Sequence, residues 1–226
     1  MSDLVVWGVG TARTFRAHWA LQELELQYET RPVQSRSGET QTPEFRALNP
    51  RGKIPVLQDG DFVLAESVAI VSYLATKFGA DRGLIPADGS RERALYDQWC
   101  FTAAMELDAH TLYVLRRHGD LAALYGEAPA ALVAARAYFD TQVVVAAEEI
   151  AARGPFLLGD TFTGADIVLG SCLDWALFYG LELCAALAGY RERLSGREAY
   201  QRAFQANFPP EVMQALRAQR GGKADS

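Results

Sequence analysis

The sequence predicts an α/β unit followed by an all-helical one. Three observations carry this reading. The strand patterns all fall before Gly79, a breaker-rich stretch runs from Gly79 to Ser90, and the long patterns beyond it are helical. The division is therefore residues 1–79, a linker at 80–90, and a helical domain at 91–226. A chain of 226 residues, 50% hydrophobic and 22% charged, has ordinary globular usage and room for two modest units. Its net charge of −6 and pI near 5.2 argue against a nucleic-acid partner. Met1 to Gly10 lacks the basic start and apolar length of a signal peptide, and no segment is expected to reach transmembrane length. A cytoplasmic protein without a membrane partner is the expectation.

In chain order, Leu4-Val5-Val6-Trp7 has the pattern of a strand covered on both faces. After the loop Gly8 to Arg13, apolar residues at Ala17, Ala20, Leu21 and Leu24 predict a helix from Thr14. Gly8-Val9-Gly10 also opens a dinucleotide fingerprint, with Glu29 about twenty residues on as a ribose ligand. Arg13 stands in the third glycine position, however, where a side chain obstructs the required helix-to-strand packing. Tyr28 to Val33 predicts a second strand, and Pro43 begins a short helix. Ile54 to Leu57 is a third strand, turned at Asp59-Gly60-Asp61 into a fourth at Phe62. A helix follows from Ser67, with Val68, Val71 and Ala75 on one line. The order βαβαββα is thioredoxin-like.

Two places in this unit point to binding. Pro55 has no ladder donor, which confines its segment to a sheet edge or a strand start. A cis Ile54–Pro55 bond, cheap for proline, would leave the Ile54 N–H and C=O available to a peptide backbone. Ser67 stands at a helix N-terminus, where free N–H groups and a hydroxyl suit a carboxylate. Together they describe a receptor for a small acidic peptide.

In the helical half, Arg91–His118 and Pro129–Arg153 are long patterns separated by a turn near Gly119 and Gly126. Phe162-Thr163-Gly164-Ala165-Asp166-Ile167 reads as a capping box with Asp at N3, flanked by a hydrophobic staple. Pro209 to Arg220 is a last short helix and Gly221 to Ser226 a frayed end. Cys100, Cys172 and Cys184 are odd in number, widely spaced and flanked by apolar residues, so buried thiols are expected. His18, His110 and His118 have no ligand spacing, and no metal is expected.

Asn49-Pro50-Arg51-Gly52-Lys53-Ile54-Pro55-Val56-Leu57 followed by Glu66-Ser67 resembles the glutathione-binding half of the glutathione S-transferase family. Thr42 to Phe45, the Thr163/Asp166 box and Arg197 to Ala203 are also similar to that family, so the resemblance spans about Leu4 to Ala206. It implies a cytosolic-type enzyme that ionises the thiol of bound glutathione for attack on a small hydrophobic electrophile. Peroxide reduction, isomerisation, dehalogenation and a non-catalytic scaffold are the alternatives. A homodimer is implied, its two chains completing each site. Carried over by motif, Ser67 receives the γ-glutamyl carboxylate, Glu66 the adjacent amino group and Lys53 the other end of the tripeptide, with Ile54 and Pro55 at its backbone. Branches with a catalytic cysteine or tyrosine match poorly, because the loop is Thr11-Ala12-Arg13-Thr14 and Trp7 is the only aromatic residue near it. The resemblance is thus to the hydroxyl-dependent, bacterial-like branch. Thr11 is its first candidate for thiol activation and Thr14 its second, with Arg13 able to assist by charge.

Overall fold

The computed structural model describes residues 3–221. Its first unit has the thioredoxin-like order: β1 (Leu4–Val9), α1 (Ala12–Glu23), β2 (Glu29–Gln34), α2 (Pro43–Leu48), β3 (Val56–Asp59), β4 (Phe62–Ala65) and α3 (Ser67–Phe78). The sheet order is β2-β1-β3-β4, with β1 parallel to β2 and antiparallel to β3, and β4 antiparallel to β3. Pro32 is tolerated because β2 is an edge. Pro55 precedes the first residue of the inner strand β3, so of the two placements open to a proline it takes the strand start.

Both faces of the sheet are covered. Val33, Phe45 and Val56 form a core on one face with Trp7, Ile54 and Val63, and Phe45 of α2 meets the Trp7 ring edge-on at 6.2 Å. On α1, every residue from Thr14 to Leu21 is buried. Its start differs from the predicted one. Thr11 is the N-cap and Thr14 the third helical residue, so the helix begins two residues before its apolar spacing does.

His18 on α1 ties that helix to the strands. Its Nε2 lies 3.1 Å from the Gly8 carbonyl and its Nδ1 2.9 Å from the Tyr28 hydroxyl. The carbonyl can only accept, so Nε2 carries the proton and Nδ1 accepts from Tyr28. Burial pushes the imidazole down to about 4, against a weaker upward pull from Gly8. The unfolded chain therefore takes up a proton near pH 6.5 that the folded chain refuses until about pH 4. Stability is expected to fall as pH drops through that window, by about 2 kcal/mol between pH 6.5 and 5. Urea unfolding at both pH values checks this, since the His18→Gln variant should lose most of the difference.

The second unit is helical: α4 (Arg91–Thr102), α5 (Tyr113–Leu115), α6 (Ala122–Tyr125), α7 (Pro129–Arg153), α8 (Gly164–Phe178) and α9 (Ala185–Ser195). The predicted Arg91–His118 helix is continuous, but it runs with π-type bonding over Ala103–Leu112 and again over Arg116–Asp120. Nearly every residue of α8 is buried, which makes it the central helix of this unit.

Two expectations are corrected. Helix α7, with 25 residues, is long and apolar enough to cross a membrane by length and composition. Its Ala- and Val-rich middle carries few charges, yet its buried residues, Ala135, Phe139, Val143, Ala146 and Ile150, form a single stripe of the kind that packs on a protein core. Cys100 and Cys172 are buried, but Cys184 is exposed, because the apolar residues beside it belong to the start of α9 rather than to a core strand or helix centre.

Packing places Met1–Arg82 and Ser195–Ser226 in one compact unit and Gly83–Leu194 in the other, whereas the linker-based division groups residues 195–226 with the helical half. The cause is α10 (Glu198–Asn207), which lies on α1: Tyr200 meets Phe15 and Trp19 edge-on at 5.1 and 5.0 Å. Arg197 grips Glu23 with two bonds of 2.7 and 2.8 Å. The last helix is α11 (Pro210–Gly221). Of the expected frayed end, Gly221 closes this helix and the remainder lies outside the described residues.

Candidate functional site

The site is built where β1, the Asn49–Pro55 loop and the start of α3 meet inside the first unit. Gly8 has φ of +123°, and a Cβ there would sit 2.7 Å from Ile54 Cβ and 2.8 Å from Thr14 Cγ2. This glycine therefore lets the Ile54 turn approach the first helix, which accounts for it without a nucleotide phosphate. The Ile54–Pro55 bond is cis. The loop before it is organised by buried Asn49, whose Nδ2 donates to the Lys53 carbonyl at 2.8 Å and whose Oδ1 accepts from Arg51 N at 3.1 Å. Lys53 is exposed and Pro55 buried.

Helix α3 begins at Ser67 with Glu66 as its cap residue, and Glu66 makes no side-chain capping bond. Glu66 has φ of 72°, a left-handed value that costs a non-glycine residue about 1–3 kcal/mol. Its carboxylate is exposed and lies 3.3 Å from Arg51, a pair worth little in solvent. Ser67 is 6% exposed, and its Oγ accepts a 3.2 Å bond from Nη1 of Arg16. Arg16 is only 1% exposed, so a positively charged guanidinium lies buried against the first residue of this helix. Hydroxyl, helix N-terminus and fixed positive charge coincide there.

The loop after β1 carries the two threonines in a closed arrangement. Thr11 Oγ1 accepts from Thr14 N at 3.0 Å, and Thr14 Oγ1 accepts from Thr11 N at 3.0 Å and lies within donating distance, 2.9 Å, of the Thr11 carbonyl. The two hydroxyl oxygens are 2.9 Å apart. Thr14 is fully buried, while Thr11 and Arg13 are partly exposed. Asn207 on α10 closes the loop from behind, its Nδ2 donating to the Thr11 carbonyl at 3.1 Å and its own carbonyl accepting from Gly10 N at 2.8 Å.

Arg16, Asn49 and Asn207 have roles in this geometry that the sequence reading did not give them. A signal existed for two: Arg16, like His18, interrupts the mainly apolar run from Phe15 to Leu21, and Asn207 falls on the buried Ala199, Tyr200, Ala203 stripe of α10. Among the described residues, no group of three or more His, Cys, Asp or Glu side chains could hold a metal ion.

Comparison with known proteins agrees with this architecture. Residues 2–76 match the model of the glutathione S-transferase N-terminal domain, and residues 121–205 that of the C-terminal domain. Glutathione S-transferase 3 of Zea mays is 35% identical over 74% of this chain and 75% of its own. Among solved structures, the theta class glutathione S-transferase of Xanthomonas axonopodis pv. citri, with glutathione bound, superposes with a TM-score of 0.76 at 31% identity, over 90% of this chain and 97% of that one. The glutathione transferase URE2P6 of Phanerochaete chrysosporium shares the fold, with a TM-score of 0.82 at 24% identity over 93% and 98% of the two chains. The chain belongs to the glutathione S-transferase family of enzymes.

Proposed function

We propose that the chain binds glutathione and ionises its thiol for attack on a small hydrophobic electrophile. The observation that carries the reading is Ser67 at the start of α3, backed by the buried Arg16 guanidinium, an arrangement suited to the γ-glutamyl carboxylate. Glu66 faces the neighbouring ammonium, Lys53 the far end of the tripeptide, and the Ile54 backbone beside Pro55 its peptide. The glutathione bound in the Xanthomonas structure supports the same ligand here.

Of the two threonines, Thr11 is the one to meet the sulfur, because Thr14 is fully buried. A thiol with a pKa near 8.5 is only a few per cent ionised at neutral pH, and lowering it by about two units takes roughly 2.7 kcal/mol. One hydroxyl bond to the thiolate, with Arg13 and the α1 N-terminus nearby, is of that order. The test is the pH dependence of thiolate absorbance with glutathione bound. Thr11→Val should raise the apparent thiol pKa by about one to two units. No rise in a protein that still binds glutathione would move the work to Arg13 or to backbone donors.

The functional unit is proposed to be a homodimer in the cytoplasm, acting in detoxification, on the strength of family membership alone. Light scattering at micromolar concentration should give a mass near twice 24.8 kDa. A fully active species of monomer mass would overturn the dimer.

A further inference from the structure

We infer that Asn207 is a positioning residue for thiol activation: its amide occupies the Thr11 carbonyl, so that the Thr14 proton turns to Thr11 Oγ1 and the Thr11 proton is released toward the sulfur. This rests on the assignment of Thr11 proposed above. The Thr11 carbonyl has three donors within reach: Phe15 N at 3.0 Å, Thr14 Oγ1 at 2.9 Å and Asn207 Nδ2 at 3.1 Å. A carbonyl oxygen offers two lone pairs. With Phe15 N and Asn207 in place, the Thr14 hydroxyl is surplus there.

Its other acceptor is Thr11 Oγ1, 2.9 Å away. The two hydroxyls hold two protons. While Thr14 donates to the Thr11 carbonyl, only the Thr11 proton can bridge the oxygens, and it is then turned away from any ligand. When Thr14 donates to Thr11 Oγ1 instead, the bridge is kept and the Thr11 proton is free to point at a thiolate. Thr11 is the partly exposed member of the pair, so its proton is the one a ligand can reach.

The amide carries a cost that a purely structural contact does not explain. Nδ2 has to face the Thr11 carbonyl, since Oδ1 would set two acceptors against each other. Oδ1 is then left buried with no donor among the described residues, while Asn207 itself is fully buried. An orphaned buried acceptor lowers stability, and without the amide the Thr11 carbonyl would be satisfied by Phe15 N and the Thr14 hydroxyl. The bond from Gly10 N to the Asn207 carbonyl at 2.8 Å fixes the asparagine against the loop, so α10 delivers the amide rigidly.

The experiment is Asn207→Ala, read by thiolate absorbance against pH with glutathione bound. The variant is expected to fold and to bind glutathione with little change, because the Thr11 carbonyl keeps two donors and the orphaned acceptor disappears. Its thiol pKa should rise by roughly one unit, a thiolate fraction about tenfold smaller below the pKa, with kcat falling in step. In a Thr14→Val background Asn207→Ala should add no further shift. An unmoved thiol pKa in Asn207→Ala, or an equal shift in the Thr14→Val background, overturns the inference. Should the alanine variant fail to fold, Asn207→Asp keeps the shape and loses the Nδ2–H donor, and the same background separates its added charge from the proton effect. If Thr11→Val leaves the thiol pKa unchanged, the catalytic assignment fails and this inference with it. A shift in Thr11→Val beside none in Asn207→Ala overturns the role of Asn207 alone.

Discussion

Asp166→Ala is expected to destabilise the second unit by at least about 3 kcal/mol. The spacing of Thr163 and Asp166 alone predicts the ordinary cost of losing a helix cap, about 0.5–2 kcal/mol. The fold raises it, because the fully buried carboxylate accepts from Leu157 N at 2.9 Å, Thr163 N at 2.8 Å, Thr163 Oγ1 at 3.1 Å and the Tyr190 hydroxyl at 2.7 Å. Burial pushes this carboxyl up from its ordinary range, and the four donors pull it back. Alanine keeps the burial and removes every acceptor, leaving the Leu157 and Thr163 N–H groups and the buried Tyr190 hydroxyl unpaired, each at about 1–3 kcal/mol. Urea unfolding of the two proteins gives the difference directly. A loss under about 1 kcal/mol would show that the donors find other partners.

Ser67→Ala should weaken glutathione binding by about 1.5–3 kcal/mol, the value of a hydrogen bond to a charged group. That corresponds to roughly 10- to 150-fold in Kd. The hydroxyl also accepts from Arg16 at 3.2 Å. That bond occupies a lone pair of the hydroxyl and leaves its proton for the proposed carboxylate. Arg16→Met should therefore weaken glutathione as well, with Ser67 still in place, because it removes both the orienting donor and the buried charge. Calorimetry at equal affinity for Ser67→Ala and the parent would take Ser67 out of the site.

What could be read from the sequence depended on how far apart the interacting residues lie. The strands were legible because Leu4-Val5-Val6-Trp7 and Val56-Leu57 are β-prone, although Ile54 and Pro55 fall before β3 rather than in it, and α2 because Pro43 suits a helix start. The start of α1 was placed late because Thr14 stands where a capping box usually has Glu or Gln, and Ala12 and Arg13 add no apolar period. Arg16 and Asn207 were harder still. Their partners, Ser67 and Thr11, are 51 and 196 residues away, and no local spacing reports such a bond.

The late return of the chain to α1 has a consequence during synthesis. Phe15 and Trp19 are made long before the residues that cover them, Tyr200 and Phe208 among others. At about 5–20 residues per second, translating Gly83–Leu194 takes roughly five to twenty seconds. Throughout that interval the nascent first unit shows an uncovered aromatic face, the kind of surface that chaperones hold. A stop codon after Leu194 would do its damage far back along the chain: Glu23 would lose Arg197, and the Gly10–Thr11 loop would lose its hold on Asn207.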